Sequence, residues 1–485
     1  MDNNKLNNKV AVAARWSVIT EIAAKLVTPV ITMILARLLT PEAFGVVATV
    51  TMIVSFAEMF ADAGFQKYLV QHEFTDNSHR VASTNVAFWT NLTIAFLIWI
   101  IIVIFREPLA TIVGNPGLGF VIIIACAQLP ITAFSSIQMA LYRRDFDFKT
   151  LFLIRIIAIC IPFVVTMPLA LFGWSYWSLI IGTLCGALVN AVILTVKSWW
   201  KPQLFYSFSI LKEMISFSVW SLIEAISIWL TGWIDIFIIG SVLSTYYLGL
   251  YRTSLAMVGG ILGIVTAATT PILFAALSRL QNDDNAFQIM FFRMQKIVAY
   301  CVLPLGVGIY LYSDVATRIL LGSQWQEASE IIGIWALTSV IMIVLGYYSS
   351  EVYRAKGKPR LSFLAQVLHL IVLVPTCIIS LKYGFWVLVC ARALIRLQFV
   401  LVHLIIMKYA IKFPIGKMFT NIKKPVLFTL LMGGVALGLQ YISAEFIWSL
   451  VSIGICMVVY FGLIRFFARS DVQLITNVFF KKNMG

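Results

Sequence analysis

The sequence predicts an all-α integral membrane protein with about 14 transmembrane helices, and three observations carry that prediction. Hydrophobic residues make up 61% of the 485-residue chain and charged residues only 12%, with a mean hydropathy of +0.94. A soluble chain runs near 45–50% apolar and about 25% charged. The apolar residues gather into stretches of about 20, the length a helix needs to cross a bilayer. The basic residues fall mainly in alternate links between those stretches, as the orientation of a multi-pass protein requires.

Fourteen stretches can be marked, at about 12–38, 43–63, 82–105, 118–140, 150–171, 175–196, 214–240, 249–277, 292–312, 328–350, 361–381, 384–407, 425–442 and 446–468. The links between them, such as LLTPEAFG, GNPGLG, KGKP and SAEF, carry turn chemistry. The longest, near 64–81, 279–291 and 313–327, are too small to be domains. The start, MDNNKLNNKV, is polar and the apolar stretch after it is too long for a signal peptide, so no cleavage is expected. All seven cysteines lie inside apolar runs without a CxxC pair, as small core residues do.

Lys and Arg number 36 against 21 Asp and Glu, for a net charge of +15. With the N-terminus in the cytoplasm, 26 of the 36 fall on the cytoplasmic side, 5 on the other side and 5 within spans. The positive-inside rule therefore puts both termini in the cytoplasm. The positive surface then faces an anionic inner leaflet, and no nucleic acid is needed to explain it.

The chain also resembles itself. At an offset of 204, Trp16-Ser17 matches Trp220-Ser221, and Leu39-Thr40 with Phe44-Gly45 matches Leu243-Ser244 with Leu248-Gly249. At an offset of 211, Tyr142-Arg143 matches Tyr353-Arg354 and Gly173-Trp174 matches Gly384-Phe385. Each copy holds six helices, so both enter the membrane in the same direction. The expected organisation is an N-lobe over 1–200 (helices 1–6), a C-lobe over 201–412 (helices 7–12), and helices 13–14 with a cytoplasmic C-terminus over 413–485. Parallel repeats of this kind are a transporter architecture, with a central cavity between the two lobes.

Several segments carry a family resemblance. They are LARLLTPEAFGVVATVTMIVSFAEMFADAGFQKYLVQ at 35–71, MALYRRDFDF at 139–148, LFAALSRLQND at 273–283 and LLGSQW at 320–325. The chain resembles the polysaccharide transporter family of the multidrug/oligosaccharidyl-lipid/polysaccharide (MOP) superfamily, in its Wzx-type flippase branch. The resemblance implies two lobes around a central cavity, a fold similar to multidrug extruders and lipid II flippases. It implies movement of an undecaprenyl-diphosphate-linked oligosaccharide across the bacterial inner membrane for surface polysaccharide biosynthesis. Membrane lipids, a polysaccharide polymerase and a co-polymerase are the partners it suggests. The chain departs from the branch in carrying Glu21, Lys25, Arg392 and Arg396 within helices, as contacts to a particular glycan or as structural charges.

A charge at the bilayer centre costs at least ~2.5–3.5 kcal/mol on insertion scales, so it normally faces protein or water. Lys25 lies near the middle of helix 1 with Glu21 one turn earlier on the same face. Lys25 is a candidate for the substrate's diphosphate and Glu21 for a coupling proton; the alternative is an ion pair between the two. Arg15, at the entrance of helix 1, could capture phosphate or snorkel to headgroups. Arg155 is about two turns into helix 5, too deep to snorkel easily. Arg392 and Arg396 share a face of helix 12 and could bind acid groups of the glycan or lipid phosphate. Glu224 and Asp235 share a face of helix 7 and join Glu21 as candidate ion-coupling carboxylates, although a solvated outer vestibule would also explain Asp235. Trp229, deep in helix 7, could stack on sugars, with core packing as the alternative.

No GxxxxGK[ST] is present, the four histidines lack metal-ligand spacing, and no Ser/His/Asp set falls on one aqueous face. An enzyme, a cofactor and a resident metal are therefore not expected. Two rivals to the flippase are an ion-coupled multidrug or cation antiporter of the same superfamily and a membrane glycan-processing enzyme. The cations Lys25 and Arg155 weigh against the first, and the small loops against the second.

Overall fold

The computed structural model describes residues 3–62, 64–74, 76–469 and 471; the side chains of 3–15, 18, 62 and 216–224 lie outside the described set. Among the described residues every regular element is helical, and fourteen helices are long and apolar enough to cross a membrane. They are α1 (Asn3–Leu38), α2 (Pro41–Asp62), α3 (Asn77–Ile104), α4 (Gly119–Arg144), α5 (Phe148–Leu171), α6 (Ser175–Lys197) and α7 (Phe208–Val242). Then come α8 (Thr245–Arg279), α9 (Asp284–Leu311), α10 (Ala328–Ala355), α11 (Arg360–Leu381), α12 (Phe385–Ala410), α13 (Lys423–Ile442) and α14 (Phe446–Phe467).

The observed helices match the fourteen expected spans but run further at their polar ends. The ninth, expected from 292, starts at Asp284. The cause is capping: the Asp283 carboxylate accepts from the Asn285 and Ala286 amides, each at 3.0 Å, so a polar first turn is satisfied outside the apolar stretch. Asp76 and Asp147 cap α3 and α5 in the same way, through the His79 amide at 2.6 Å and the Thr150 amide at 3.1 Å. Parts of the links are themselves helical, at Phe65–Gln71, Arg106–Ile112, Ser313–Leu320 and Ile415–Asn421.

The chain divides into two compact units between Arg252 and Thr253. In the first, small and β-branched residues such as Val46, Val54, Ala95, Ile122 and Ala125 form the core of α2, α3 and α4. A more aromatic core, with Phe65, Tyr68, Phe88, Trp200 and Met214, closes one end of it. In the second unit Tyr300, Phe428, Met432 and Tyr460 pack α13 and α14 onto α9. The Tyr460 hydroxyl donates to the Tyr300 carbonyl at 2.9 Å, and the Gln440 amide to the Leu311 carbonyl at 2.6 Å. α10 contains a π-helical turn at Ile343–Tyr347, where the Gln295 amide serves the Val344 carbonyl at 3.2 Å.

Large apolar side chains stay on the outside, among them Leu97, Ile101 and Ile104 on α3 and Val192 and Val196 on α6, all more than half exposed. Water would penalise such a surface and lipid does not. Away from the prolines inside the spans, backbone polar groups pair within the helices, as hydrocarbon demands.

Candidate functional site

Within the first unit a cavity of about 560 Å³ opens among α1, α4, α5 and α6. Trp16 of α1 lies 5.2 Å from Phe152 of α5, ring centroid to ring centroid, which sets the two helices side by side. One turn further along each, Glu21 and Arg155 line the cavity, with Thr20, Gln128, Arg143 and Asn190.

The other wall depends on close helix packing. A Cβ on Gly186 of α6 would stand 2.6 Å from the Pro162 ring of α5, and one on Gly182 would stand 2.8 Å from the Pro162 carbonyl. Two glycines four apart thus let α6 ride directly on α5, and the Thr166 hydroxyl ties the pair by donating to the Ser178 carbonyl at 3.1 Å. Pro162 has no amide proton, so the Ala158 carbonyl one turn back loses its helical donor beside the cavity.

The cavity is polar and carries two guanidiniums against one carboxylate. Arg155 has no hydrogen-bond or ion-pair partner among the described residues. Arg143 reaches the Gln66 amide oxygen at 3.4 Å. Glu21 and Lys25 make no ion pair, so the pairing offered as an alternative for them is absent. Lys25 is exposed on α1 outside the set of cavity-lining residues. The site can hold a polar, anionic group against a cation that the protein does not otherwise satisfy.

The remaining candidates separate. The side chains of Arg15 and Glu224 lie outside the described residues. Asp235 is 2% exposed, not solvated: the Tyr251 hydroxyl donates to its Oδ2 at 2.7 Å and the Ile236 amide to its Oδ1 at 2.9 Å. Trp229 packs on α2, with its ring 4.8 Å from Phe56 and its indole N–H donating to Ser55 at 3.0 Å. In the second unit Arg392 and Arg396 stand over the two-ring face of Trp335, at 5.6 and 4.1 Å from the ring centroid. That unit also has a cavity of about 560 Å³ among α9, α13 and α14, lined by no charged residue and suited to hydrocarbon.

Sequence reasoning did not single out as site residues Arg143, which entered only as a link charge and within the repeat and family segments, or Glu58, which sits inside the apolar run of α2. For Glu58 the signal was available: a lone carboxylate in a membrane span is itself a functional hint.

The chain is 27% identical over 329 residues to the succinoglycan biosynthesis transport protein ExoT of Rhizobium meliloti (strain 1021), covering 67% of this chain and 65% of that one. It is 24% identical over 403 residues to the teichuronic acid biosynthesis protein TuaB of Bacillus subtilis (strain 168), covering 81% and 80%. Among solved structures, the lipid II flippase MurJ in an inward closed conformation superposes with a TM-score of 0.72 over 95% of this chain and 99% of that one, at 14% identity. At that identity the likeness establishes the fold. The family model for polysaccharide biosynthesis proteins matches residues 34–330, more than half of the chain, and the protein belongs to that family.

Proposed function

We propose that the protein is a flippase that carries an undecaprenyl-diphosphate-linked oligosaccharide across the bacterial cytoplasmic membrane for surface polysaccharide biosynthesis. The observation that carries this reading is the unpartnered Arg155 guanidinium in a polar cavity among membrane-spanning helices. Neither a diphosphate nor a glycan crosses hydrocarbon unaided, whereas the prenyl chain can stay in lipid. A guanidinium binds phosphate oxygens through two parallel N–H donors, which suits it to the diphosphate. The transport role in the name of ExoT and the flippase role in the name of MurJ agree with this assignment.

The cycle we assign is alternating access between two six-helix lobes, 1–200 and 201–412, with 413–485 outside the repeat and both termini cytoplasmic. Arg155 is the first substrate contact, with Lys25 and Arg15 as further cations. Glu21, Glu224 and Asp235 are the assigned ion-coupling carboxylates. A cation antiporter would place its substrate against carboxylates, and here guanidiniums outnumber them.

The test is export in cells carrying the cognate glycan pathway. Arg155→Ala is expected to leave protein abundance unchanged while lipid-linked precursor accumulates on the cytoplasmic side. Normal export by that variant would remove the assignment of the cavity to the diphosphate.

A further inference from the structure

Three planar polar side chains converge in the polar cavity of the first unit. Glu21 of α1, Arg155 of α5 and Asn190 of α6 all line it, and among the described residues none of them makes a hydrogen bond or an ion pair. Asn190 is half-buried and its amide atoms stay accessible. With Thr183, Gly186 and Ala187 it falls at helical spacing, on the face that α6 turns to the cavity.

Helix packing brings the three to one depth. Gly182 of α6 meets Pro162 and Thr166 of α5, and Gly186 meets Ala158 and Pro162. Four residues forward on α6 are therefore four residues back on α5, as antiparallel neighbours require. The next step, to Asn190, falls opposite Ile154 and Ala158, which bracket Arg155. Three spans separate α1 from α5, so these two helices run in the same direction. Counted from the contact between Trp16 and Phe152, Glu21 is five residues on and Arg155 three. At 1.5 Å per residue their depths differ by about 3 Å.

A guanidinium only donates hydrogen bonds, a carboxylate only accepts them and an amide does both. A phosphate group uses the first alone. Sugar hydroxyls use the other two, since each O–H can donate to Glu21 and can both donate and accept at Asn190. Beside them Pro162, Ala187 and Leu194 offer apolar surface to the C–H face of a ring. A cavity of about 560 Å³ has the size of a pocket for one drug-sized ligand. It has room for a diphosphate with an adjoining sugar and not for a whole oligosaccharide.

We propose that Glu21 and Asn190 bind the sugar joined directly to the diphosphate, so that the cavity selects glycans by their first residue. This rests on the proposed function, which puts the diphosphate on Arg155. The sugar bonded to that diphosphate stays close to the guanidinium, and the two unsatisfied groups at the same depth are within its reach. Glu21 can still carry a coupling proton, in exchange for the hydroxyl that it accepts when ionised.

Calorimetric titration of the purified full-length protein in detergent tests it, with methyl phosphate compared against glucose 1-phosphate, galactose 1-phosphate and N-acetylglucosamine 1-phosphate. All are phosphate monoesters, so the ratio of affinities isolates the sugar. At least one sugar phosphate is expected to bind the wild type roughly tenfold or more tighter than methyl phosphate. Asn190→Leu is expected to reduce that ratio by roughly three- to tenfold, and Glu21→Ala by roughly tenfold or more. Methyl phosphate binding by each variant reports an intact cavity. A variant that no longer binds it assigns its residue to the frame of the cavity and counts against the proposal. If no phosphate ester binds the wild type, the cavity is not the diphosphate site and both readings fall. If methyl phosphate binds but no sugar phosphate binds tighter, or if either variant keeps the wild-type ratio, the sugar assignment is overturned while the diphosphate assignment stands.

Discussion

Gly45 on α2 and Gly249 on α8 meet backbone to backbone: a Cβ on Gly45 would stand 3.1 Å from the Gly249 nitrogen, and one on Gly249 would stand 3.0 Å from the Gly45 nitrogen. Each added carbon would also overlap a carbonyl oxygen, that of Thr245 for Gly45 and that of Pro41 for Gly249. The contact is reciprocal because Pro41 and Thr245, like the two glycines, are 204 residues apart. The repeat read from the sequence thus reappears as a local two-fold contact between the first turns of α2 and α8. Helix backbone cannot move aside as a side-chain tip can. Gly45→Ala is expected to cost about 1–3 kcal/mol through overpacking. A matched control is Gly259→Ala, which meets open space and should be neutral or stabilising by up to ~1 kcal/mol. Thermal unfolding in detergent compares the two, and equal midpoints would mean the contact is not made in solution.

Arg155 and Lys25 make different predictions although both are cations in membrane-spanning helices. Arg155 lines the polar cavity and Lys25 does not. Removing a charge-assisted hydrogen bond to an anionic substrate costs about 1.5–3 kcal/mol, or roughly 10- to 150-fold. Arg155→Ala is expected to lower export by that amount and Arg155→Lys by less, because a cation is kept. Lys25→Ala is expected to have the smaller effect of the two alanine variants. Rates of precursor flipping in reconstituted vesicles measure it, and a larger loss at Lys25 would reverse the assignment.

The fold was legible because bilayer thickness imposes one length on every span. The site was legible only in part, since a span's sequence does not say which of its faces meets lipid and which meets other helices. Glu21 and Arg155 were identified and share a cavity. Lys25, four residues from Glu21, was identified for the same reason and lies outside it. Arg392 and Arg396 were correctly placed on one face, but their neighbour Trp335 is about sixty residues away in the chain and no periodicity links them. Glu58 falls inside the 35–71 segment quoted for the family resemblance but was not singled out, and its neighbours Gln128 and Thr132 are apparent only once α2 and α4 are packed.

Acid should remove the contribution of one helix cap. The Asp76 carboxylate accepts from the His79 amide and the Ser78 hydroxyl, and those donors hold its pKa below the ordinary value of 3.8. A depressed folded-state pKa means that the stabilisation is full above the unfolded-state value and is lost as pH falls through the folded-state value. Asp76→Ala is therefore expected to unfold at lower temperature than wild type near neutral pH, with the gap closing as pH drops below about 4. Asp76→Asn can cap without titrating, so its own stability should not show that pH-dependent loss. A gap between wild type and Asp76→Ala that stays constant with pH would separate the cap from the carboxylate charge.

Trp335 receives two guanidiniums, and their burial separates a scaffold role from a transport role. Arg392 is 8% exposed and stands 5.6 Å from the ring centroid, while Arg396, half-buried, stands closer at 4.1 Å. A desolvated cation over a tryptophan face is worth about 0.5–2 kcal/mol, and at these positions it also keeps two charges of a membrane-spanning helix against protein. Removing Trp335 should therefore do more than empty a space. Trp335→Leu fills most of the volume but offers no ring, and is expected to lose about 1–3 kcal/mol through the two cations it leaves behind. Trp335→Phe, which keeps a weaker ring, should fall between it and wild type. Arg392→Gln is expected to lower the unfolding midpoint while the folded fraction flips substrate at the wild-type rate per molecule. If that variant instead unfolds normally and flips substrate slowly, the Arg392 guanidinium acts on the glycan and not on the packing of α10 and α12.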